Sequence, residues 1–540
     1  MDLWSAILRG EKNIGIIRDL RKLRLNETNK ITAIVIAAIA VRVVTLWMGR
    51  AEFTGWLNHT YYYFVQVRGL LNDGVLPYSD MPLLFYLYSF VVKILNFIGI
   101  EQSDSIVIST RIIMCLVPSL IPIFIYKIIK KINGGGQIQR NQWLLILIAG
   151  FLPLSLSYMP EFLQKNMVGL LLLSALMYFS IRLLGKFNIK DIVMSGVIAL
   201  LIVLTHYGTF AAMALYILSL FVSFSLINKD KKNIIISGFV LVVFGVMSTV
   251  LIYIFDPQRF ERIFFYLSES LTNSLVFALF NGNNNRTENI ISFGIIIIFY
   301  TILYLFYRIY YRHKDNLANC ERIFWLSSIL FCGLLVTPLL DHHLMARLAS
   351  FMSIPLLIIL IFNEKYGFKR VWLKRWLYVL MVVGVMFLAI GELMSSKIHN
   401  KNNQQIFVDI NRLKSQYYFD ENDLIITKTG AEHICNWFLG VKSGVITTLN
   451  LRDFEKYDDI YILNPIQGEL NFGGLENRNV ITESDKYFFM QRNIPKPESA
   501  EILFKSDNIE LYRLKLLPTE WDFNNKGDWN GYIAIPTKPN

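Results

Sequence analysis

Mixed clusters of acidic, basic and histidine residues stand at the ends of several apolar stretches of this chain. A carboxylate or imidazole can accept a proton, and a guanidinium or ammonium group can hold a phosphate. Ionisable groups beside membrane-spanning segments are costly and tend to mark functional sites. In chain order the clusters contain Glu52, Asn58 and His59; Tyr78 and Asp80; Glu161, Gln164, Lys165 and Asn166; His206 and Tyr207; Asp256 and Arg259; and Asp341, His342, His343 and Arg347.

The composition excludes a soluble globular protein. Hydrophobic residues make up 54% of the 540 residues and charged residues 17%, against about 45–50% and about 25% in ordinary soluble domains. The mean hydropathy is +0.42. One hydrophobic core could not bury so many apolar residues, because single cores stop growing at roughly 250–300 residues. The apolar excess must therefore face lipid. The four cysteines show neither CxxC nor Cys/His spacing, so neither a zinc site nor a disulfide framework is indicated.

Membrane spans are predicted where about 20 apolar residues follow one another, since about 30 Å of hydrocarbon must be crossed at 1.5 Å per residue. Residues 1–30 lack the apolar core of a signal peptide and are predicted to be a basic amphipathic cytoplasmic segment. Eleven spans are predicted, at 31–49, 105–126, 142–159, 166–181, 191–207, 208–227, 234–254, 290–307, 323–340, 345–362 and 372–391.

A further apolar stretch, 81–100, carries Lys93 at its centre and decides the topology. If this stretch crosses the membrane, the basic clusters of the later loops lie on the outer side, against the positive-inside rule. If it lies in the membrane interface, those clusters lie on the cytoplasmic side. We therefore predict an outer loop over 50–104 with interfacial helices. The protein is expected in the cytoplasmic membrane, with its N-terminus inside and its C-terminal domain outside. Most of the basic residues behind the net charge of +12 then lie on cytoplasmic loops. The charge is explained by membrane topology, and no nucleic-acid partner is predicted.

The last part of the chain, 393–540, has ordinary polarity and is predicted to be a separate soluble α/β domain. The segment AEHICNWF places His433 close to Cys435; a buried helix face is favoured there over a nucleophile and its base. Strand-like runs stand at 423–430, 458–465, 501–504 and 509–514, and helical patterns at 403–417 and 431–438.

The outer loop contains a longer motif. A first span bearing Arg42 is followed by GWLNHTYYYFVQVRGLLNDGVLPYSDMPLLFYLYS, which enters the stretch 81–100 through a Gly-Pro-Tyr-Asp-Pro pattern at 74–82. Together with the segments 152–166 and 342–358, this loop resembles the GT-C superfamily of polyprenyl-phosphate-dependent glycosyltransferases. The layout is most similar to the protein O-mannosyltransferase and aminoarabinose-transferase type.

The resemblance implies an all-α polytopic membrane domain over 31–392, with about 11 transmembrane helices plus interfacial helices, followed by an exoplasmic α/β domain over 393–540. It also implies inverting transfer of a sugar from a polyprenyl-phosphate-linked donor, among membrane lipids, to a glycan, lipid or protein acceptor on the outer face. Such a transfer needs a carboxylate to take the acceptor proton and positive charge to stabilise the leaving phosphate.

The position of the family's acid departs from the pattern. Just before the amphipathic helix, where family members place Asp or Glu, this chain has Asn58 and His59. Since asparagine cannot accept a proton, Glu52 is the favoured base. Asp80 and His59 are the alternatives, and Asp80 could instead cap the interfacial helix.

Other clusters supply candidates for donor binding. Arg347 is the first candidate for the phosphate, because a guanidinium can bind two of its oxygens, and Lys165 is the second. The aromatic run at 61–64 is predicted to be a membrane-interface belt, with a sugar-stacking platform as the alternative. Further substrate-binding candidates are Glu161, which could instead bond Lys165, and His206, Tyr207, His342 and His343.

A divalent metal is an open alternative for the histidines. His206, His342 and His343 could bind one together with an acid. The spacing is not a metal signature, so no metal ligand and no certain cofactor is predicted. Two other functions also stay open: a catalytically silent GT-C-like scaffold or lipid-binding complex subunit, and, less favoured, a transporter or flippase, for which inverted repeats and interrupted helices would be expected.

Overall fold

The computed structural model describes most of the helical part of the chain and the sheet that follows it. Residues 1–25 and 515–540 lie outside the description. The described residues are 26–49, 57–78, 80–151, 164–228, 231–255, 260, 271, 274–276, 286–340, 345, 348–366, 407–420, 422–427, 431–445, 456–465, 501–507 and 509–514.

The described chain up to residue 366 is helical. Short 3-10 turns cover Lys314–Asn316 and Ser350–Met352. In chain order the α-helices are α1 (Glu27–Gly49), α2 (Leu57–Asn72), α3 (Leu83–Phe97), α4 (Gln102–Ser119), α5 (Ile121–Ile132), α6 (Arg140–Phe151), α7 (Gln164–Gly185), α8 (Ile189–Val203), α9 (Tyr207–Ile227), α10 (Lys231–Phe255), α11 (Arg286–His313), α12 (Asn319–Leu335) and α13 (Ser353–Tyr366).

Four stretches of the described chain are long and apolar enough to cross a membrane. They are Gln102–Ile132, Gln164–Gly185, Tyr207–Ile227 and Phe293–Asn316. Described helices also cover at least half of each other span predicted from the sequence, except 372–391, which lies outside the described residues. The expected helical membrane domain is therefore confirmed, whereas the number of eleven spans stays a prediction.

Helix α3 occupies the stretch that decided the topology. Its 15 residues rise only about 22 Å, less than a bilayer core. One face is buried and packs along α4, while the opposite face exposes the apolar side chains of Tyr86, Phe90, Ile94 and Phe97. A short helix with an exposed apolar stripe suits a position in the interface, as the sequence predicts.

Ion pairs collect at one end of the helical bundle. They join the ends of different helices, and Lys131 lies close to Gly185 at the same end. The Lys365 ammonium also donates to the Ile132 carbonyl at 2.5 Å, so the ends of α5, α12 and α13 meet there. The pairs are Lys130–Glu27 at 2.7 Å, Arg182–Asp191 at 3.0 Å and Lys365–Glu321 at 3.0 Å. The start of α7 and the end of α8 lie at the opposite end.

The described residues of the C-terminal region form a five-stranded sheet in the order β2-β1-β3-β5-β4. Strands β1, β2 and β3 are parallel to one another, and β5 is antiparallel to both β3 and β4. Two helices accompany the sheet: α14 (407–416) and α15 (Ala431–Leu439), which links the parallel strands β1 and β2. The strands are β1 (Leu424–Thr427), β2 (Lys442–Val445), β3 (Ile460–Pro465), β4 (Glu501–Lys505) and β5 (Ile509–Leu514). This confirms the expected α/β region and adds β2.

Candidate functional site

Asp80 and Lys165 meet at the other end of the bundle, opposite the ion pairs of Lys130, Arg182 and Lys365. Asp80 lies in the segment before α3, and Lys165 is in the first turn of α7. The Lys165 ammonium forms an ion pair with the Asp80 carboxylate, and both side chains are buried. Removing one member of a buried pair would leave an uncompensated charge in a poorly solvated place. Two residues predicted separately, as a base and as a phosphate ligand, therefore form one unit.

Aromatic rings of α2 and α3 surround the Lys165 ammonium. The ammonium lies 5.0 Å from the centre of the Phe85 ring, 5.4 Å from Tyr62 and 5.9 Å from Tyr63. Cation–π attraction is effective at such distances. Tyr63 is buried, as are its neighbours Tyr61 and Phe64. The prediction of a membrane-interface belt for the run 61–64 is therefore wrong, because these rings pack inside the protein.

Donors from side chains and from the backbone hold the Asp80 carboxylate in place. Besides the Lys165 ammonium, the Tyr62 hydroxyl donates to Oδ2, and the backbone N–H of Met81 donates to Oδ1 at 2.7 Å. The alternative that Asp80 caps the interfacial helix is not borne out: the N-cap of α3 is Pro82, with no side-chain capping bond. The carboxylate is instead an oriented acceptor that balances a buried cation.

Gln66 braces the segment that carries Asp80. Its side-chain amide donates to the Tyr62 hydroxyl at 2.9 Å and to the Tyr78 carbonyl at 2.8 Å, while its carbonyl oxygen accepts from the Tyr78 N–H at 2.9 Å. Gln66 is fully buried, so these bonds are shielded from water. Gln66 was not predicted from the sequence, although its position one helical turn after Tyr62 was an available signal.

His206 and Tyr207 lie at the junction of α8 and α9, on the same end of the bundle. The Nδ1 atom of His206 accepts from the Gly208 N–H at 3.1 Å, so this imidazole caps α9. The Leu204 carbonyl accepts from the Leu83 N–H at 3.1 Å, which ties the junction to the first residue of α3. The fold thus brings the predicted His206 region and Asp80 region together.

Helix α15 of the sheet region packs against α2 beside this site. Arg68 donates to the Asn436 carbonyl at 2.6 Å and to the Trp437 carbonyl at 3.1 Å, and its guanidinium lies 5.0 Å from the centre of the Trp437 ring. A cation at the last carbonyls of a helix is favourable. The His433 ring of the same helix lies 5.2 Å from both the Tyr62 and the Tyr78 ring. Nothing in the local sequence pattern indicates this contact.

The buried face of α15 explains the chemistry of its polar side chains. Burial raises the pKa of the Cys435 thiol well above its ordinary value, with a further contribution from Glu432. The favoured interpretation of AEHICNWF as a buried helix face is therefore confirmed. Burial also raises the pKa of Tyr78, and electrostatic interactions with Glu432 and Cys435 raise it further, so the phenol stays protonated.

Comparison with known proteins shows which fold this geometry belongs to. No protein-family model matches the chain, and no curated protein matches its sequence. Among solved structures, ArnT from Cupriavidus metallidurans bound to undecaprenyl phosphate is similar, with a TM-score of 0.52 and 11% identity over 90% of this chain and 98% of that chain. The same enzyme in the apo state gives a TM-score of 0.46 at 11% identity, covering 89% and 98%. The chain has the GT-C fold.

The similarity in fold extends over 90% of this chain. It agrees with the resemblance drawn from the loop motif. Several predicted site residues cannot be placed within it. His59 lies on α2, but its side chain is not described. Those outside the described residues are Glu52, Glu161, His342, His343 and Arg347.

A metal ion is not indicated by the described part of the GT-C fold. Within the described residues, no group of three or more His, Cys, Asp or Glu side chains is placed to hold one. His206 is in the description and caps α9, whereas Glu52, His342 and His343 are not. The divalent metal therefore stays an open prediction.

Proposed function

We propose that this protein is a membrane glycosyltransferase that takes a sugar from a polyprenyl-phosphate-linked donor and transfers it to a glycan, lipid or protein acceptor. The observation that carries the proposal is the buried Asp80–Lys165 pair, at one end of a GT-C-type helical bundle and beside the rings of Tyr62, Tyr63 and Phe85. The pair provides a cation for a phosphate and a carboxylate for a proton within one site.

The proposed reaction uses the two members of the pair in turn. A donor phosphate binds the Lys165 ammonium and competes with Asp80 for it, which frees the carboxylate. The acceptor hydroxyl oxygen then attacks the anomeric carbon, and the bond from that carbon to the phosphate oxygen breaks. The electron pair leaves with the prenyl phosphate, whose charge Lys165 stabilises, and the hydroxyl proton goes to a carboxylate. We assign this role to Asp80 because it pairs with Lys165. Glu52, the base favoured from the sequence, lies outside the described residues.

The proposed sidedness follows from the charges at the two ends of the bundle. Lys130, Arg182 and Lys365 lie at one end with their acidic partners, and the positive-inside rule assigns that end to the cytoplasm. The Asp80–Lys165 pair at the other end then faces outward. The N-terminus would lie in the cytoplasm and the sheet region outside, in a cytoplasmic membrane.

Sugar transfer by membranes tests the proposal. Membranes containing wild-type protein, Asp80→Asn or Lys165→Met are given a panel of polyprenyl-phosphate-linked monosaccharides, and label transferred to endogenous acceptors is counted. Transfer by the wild type and a loss of about 100-fold in each variant are expected, because acid–base groups contribute about 10²–10⁴-fold. Asp191→Asn and Lys365→Met alter paired residues at the opposite end and serve as matched controls. Absence of transfer by the wild type across the panel would contradict the proposal.

A silent scaffold is the second candidate, and one observation favours it. The Asp80 carboxylate is already held by Lys165, Tyr62 and the Met81 N–H, an arrangement that suits a purely structural pair. On this account the protein holds a lipid phosphate without transferring sugar. Mass spectrometry of bound lipid together with the transfer assay separates the two: bound prenyl phosphate without transfer supports the scaffold.

A further inference from the structure

Three rings from two parts of the chain meet beside the Asp80–Lys165 pair. The centres of the Tyr62 and Tyr78 rings are 5.9 Å apart, and the His433 ring lies 5.2 Å from each. The His433 ring is steeply inclined to both, at 61° and 80°. Edge-to-face contacts of this kind are favourable and fix the relative orientation of the rings. His433 therefore completes a cluster that α2 and its following loop begin.

The ring cluster is connected to the ion pair through hydrogen bonds. The Tyr62 hydroxyl donates to Asp80, and the Tyr62 ring lies beneath the Lys165 ammonium. Gln66 joins the Tyr62 hydroxyl to the backbone of Tyr78. A movement of either tyrosine would therefore disturb the donor on Asp80.

The docking of α15 fixes the position of His433. Arg68 binds the carbonyls of Asn436 and Trp437 at the end of this helix, so α15 is held against α2. The Nε2 atom of His433 lies 3.5 Å from a carboxylate oxygen of Glu432, which is itself buried. The helix and the neighbouring acid thus both restrain the imidazole.

We propose that His433 is a positioning residue of the candidate site: its ring, contributed by the sheet region, holds Tyr62 against Asp80 and so keeps Lys165 enclosed. The inference rests on the proposed function in assigning this site to sugar transfer. It assigns to the C-terminal region a direct part in organising the site, through the shape of the ring and without an acid–base step by the imidazole.

Chemical labelling of Lys165 tests this role without any transferase assay. Full-length protein in detergent is treated with an acetylating amine reagent, and modification of Lys165 is followed by peptide mass spectrometry in wild type, His433→Ala and His433→Phe. Labelling should be about tenfold faster in His433→Ala, because two aromatic contacts are lost. His433→Phe keeps a ring and should stay within about twofold of the wild type. Lys365, paired with Glu321 at the other end, is the internal control.

Transfer activity provides the second readout. His433→Ala should lower kcat about tenfold while KM for the donor changes little, and His433→Phe should restore most of the rate. Unchanged Lys165 labelling in His433→Ala, equal acceleration at Lys365, or failure of His433→Phe to restore protection would each overturn the inference. If wild-type protein transfers no sugar, the proposed function fails, while the labelling experiment still decides whether His433 positions the pair.

Discussion

The ammonium group of Lys165 forms an ion pair with the carboxylate of Asp80, and the pair joins the start of α7 to the segment that enters α3. Both side chains are buried, and 85 positions separate them in the chain. Such a pair is costly to break from one side only, since the remaining charge loses its partner without regaining water. This property makes the pair testable independently of any activity.

Removing one partner of this pair should destabilise the protein more than removing both. Lys165→Met or Asp80→Asn alone should lower the free energy of unfolding by about 3–5 kcal/mol, and the double variant should recover part of that loss. Unfolding temperatures of purified protein in detergent measure the effect. Lys365→Met, which breaks a more exposed pair, is the control and should cost about 1 kcal/mol or less. Additive losses in the double variant would show that the two charges do not interact.

The two tyrosines beside the site should respond differently to loss of the hydroxyl. Tyr62→Phe removes the donor to Asp80 and the acceptor for Gln66, so it should cost about 1–3 kcal/mol of unfolding free energy. The Tyr78 hydroxyl is buried and makes no hydrogen bond among the described residues. Tyr78→Phe should therefore be neutral or slightly stabilising. Thermal unfolding of both variants checks this contrast, and a costly Tyr78→Phe would reveal a partner for its hydroxyl.

Close contact between α7 and α9 predicts a strong effect of a small substitution. A Cβ added at Gly169 would overlap the Thr209 side chain. Gly169→Ala should destabilise by about 1–3 kcal/mol through overpacking, measured by the unfolding temperature. Gly196 on α8 faces open space, so Gly196→Ala should be neutral or gain up to about 1 kcal/mol from helix propensity. Equal effects at both positions would contradict the close approach of the two helices.

The sheet region contains a carboxyl group whose ionisation disfavours folding. Burial raises the pKa of Asp423 above 3.8, and the charges of Asp459, Asp420 and Asp458 raise it further. The folded state thus binds this proton more tightly than the unfolded chain. Its stabilising contribution is present below pH 3.8 and is lost as the pH rises through the raised pKa.

Asp423→Asn should therefore slow hydrogen exchange in β1 and β3 at neutral pH and have little effect on it below pH 3.8. The amide oxygen can still accept from the Asp420 N–H, as the carboxylate does at 2.7 Å. Hydrogen exchange of peptides from the two strands measures the protection. Exposed Asp507 provides the matched control, and Asp507→Asn should leave exchange unchanged. Faster exchange in Asp423→Asn at pH 7 would disprove the expected sign.

Local patterns predicted the elements well, because hydrophobic periodicity reports which face of an element is buried. The strand-like runs became β1, β3, β4 and β5, and the pattern at 431–438 became α15. Strand β2, with the sequence KSGV, was missed because Ser and Gly have little strand preference. It is a strand because it pairs with β1.

The site could be predicted only in part. Asp80 and Lys165 were both recognised from residue type and position, but their pairing depends on how the start of α7 meets the segment before α3, which spacing in sequence does not encode. The contribution of α15 was missed for the same reason: Arg68 and Asn436 lie 368 positions apart. Long-range packing, rather than local propensity, decides which polar groups share a site.

The fate of a labelled donor tests the central claim most directly. Purified protein is supplied with a polyprenyl-phosphate-linked sugar and a membrane extract as acceptor, and the lipid is analysed by mass spectrometry. We predict conversion of the donor to free polyprenyl phosphate by the wild type, with loss of conversion in Lys165→Met and retention in Lys365→Met. A donor that stays intact with the wild type across the panel of sugars would contradict the assignment as a transferase.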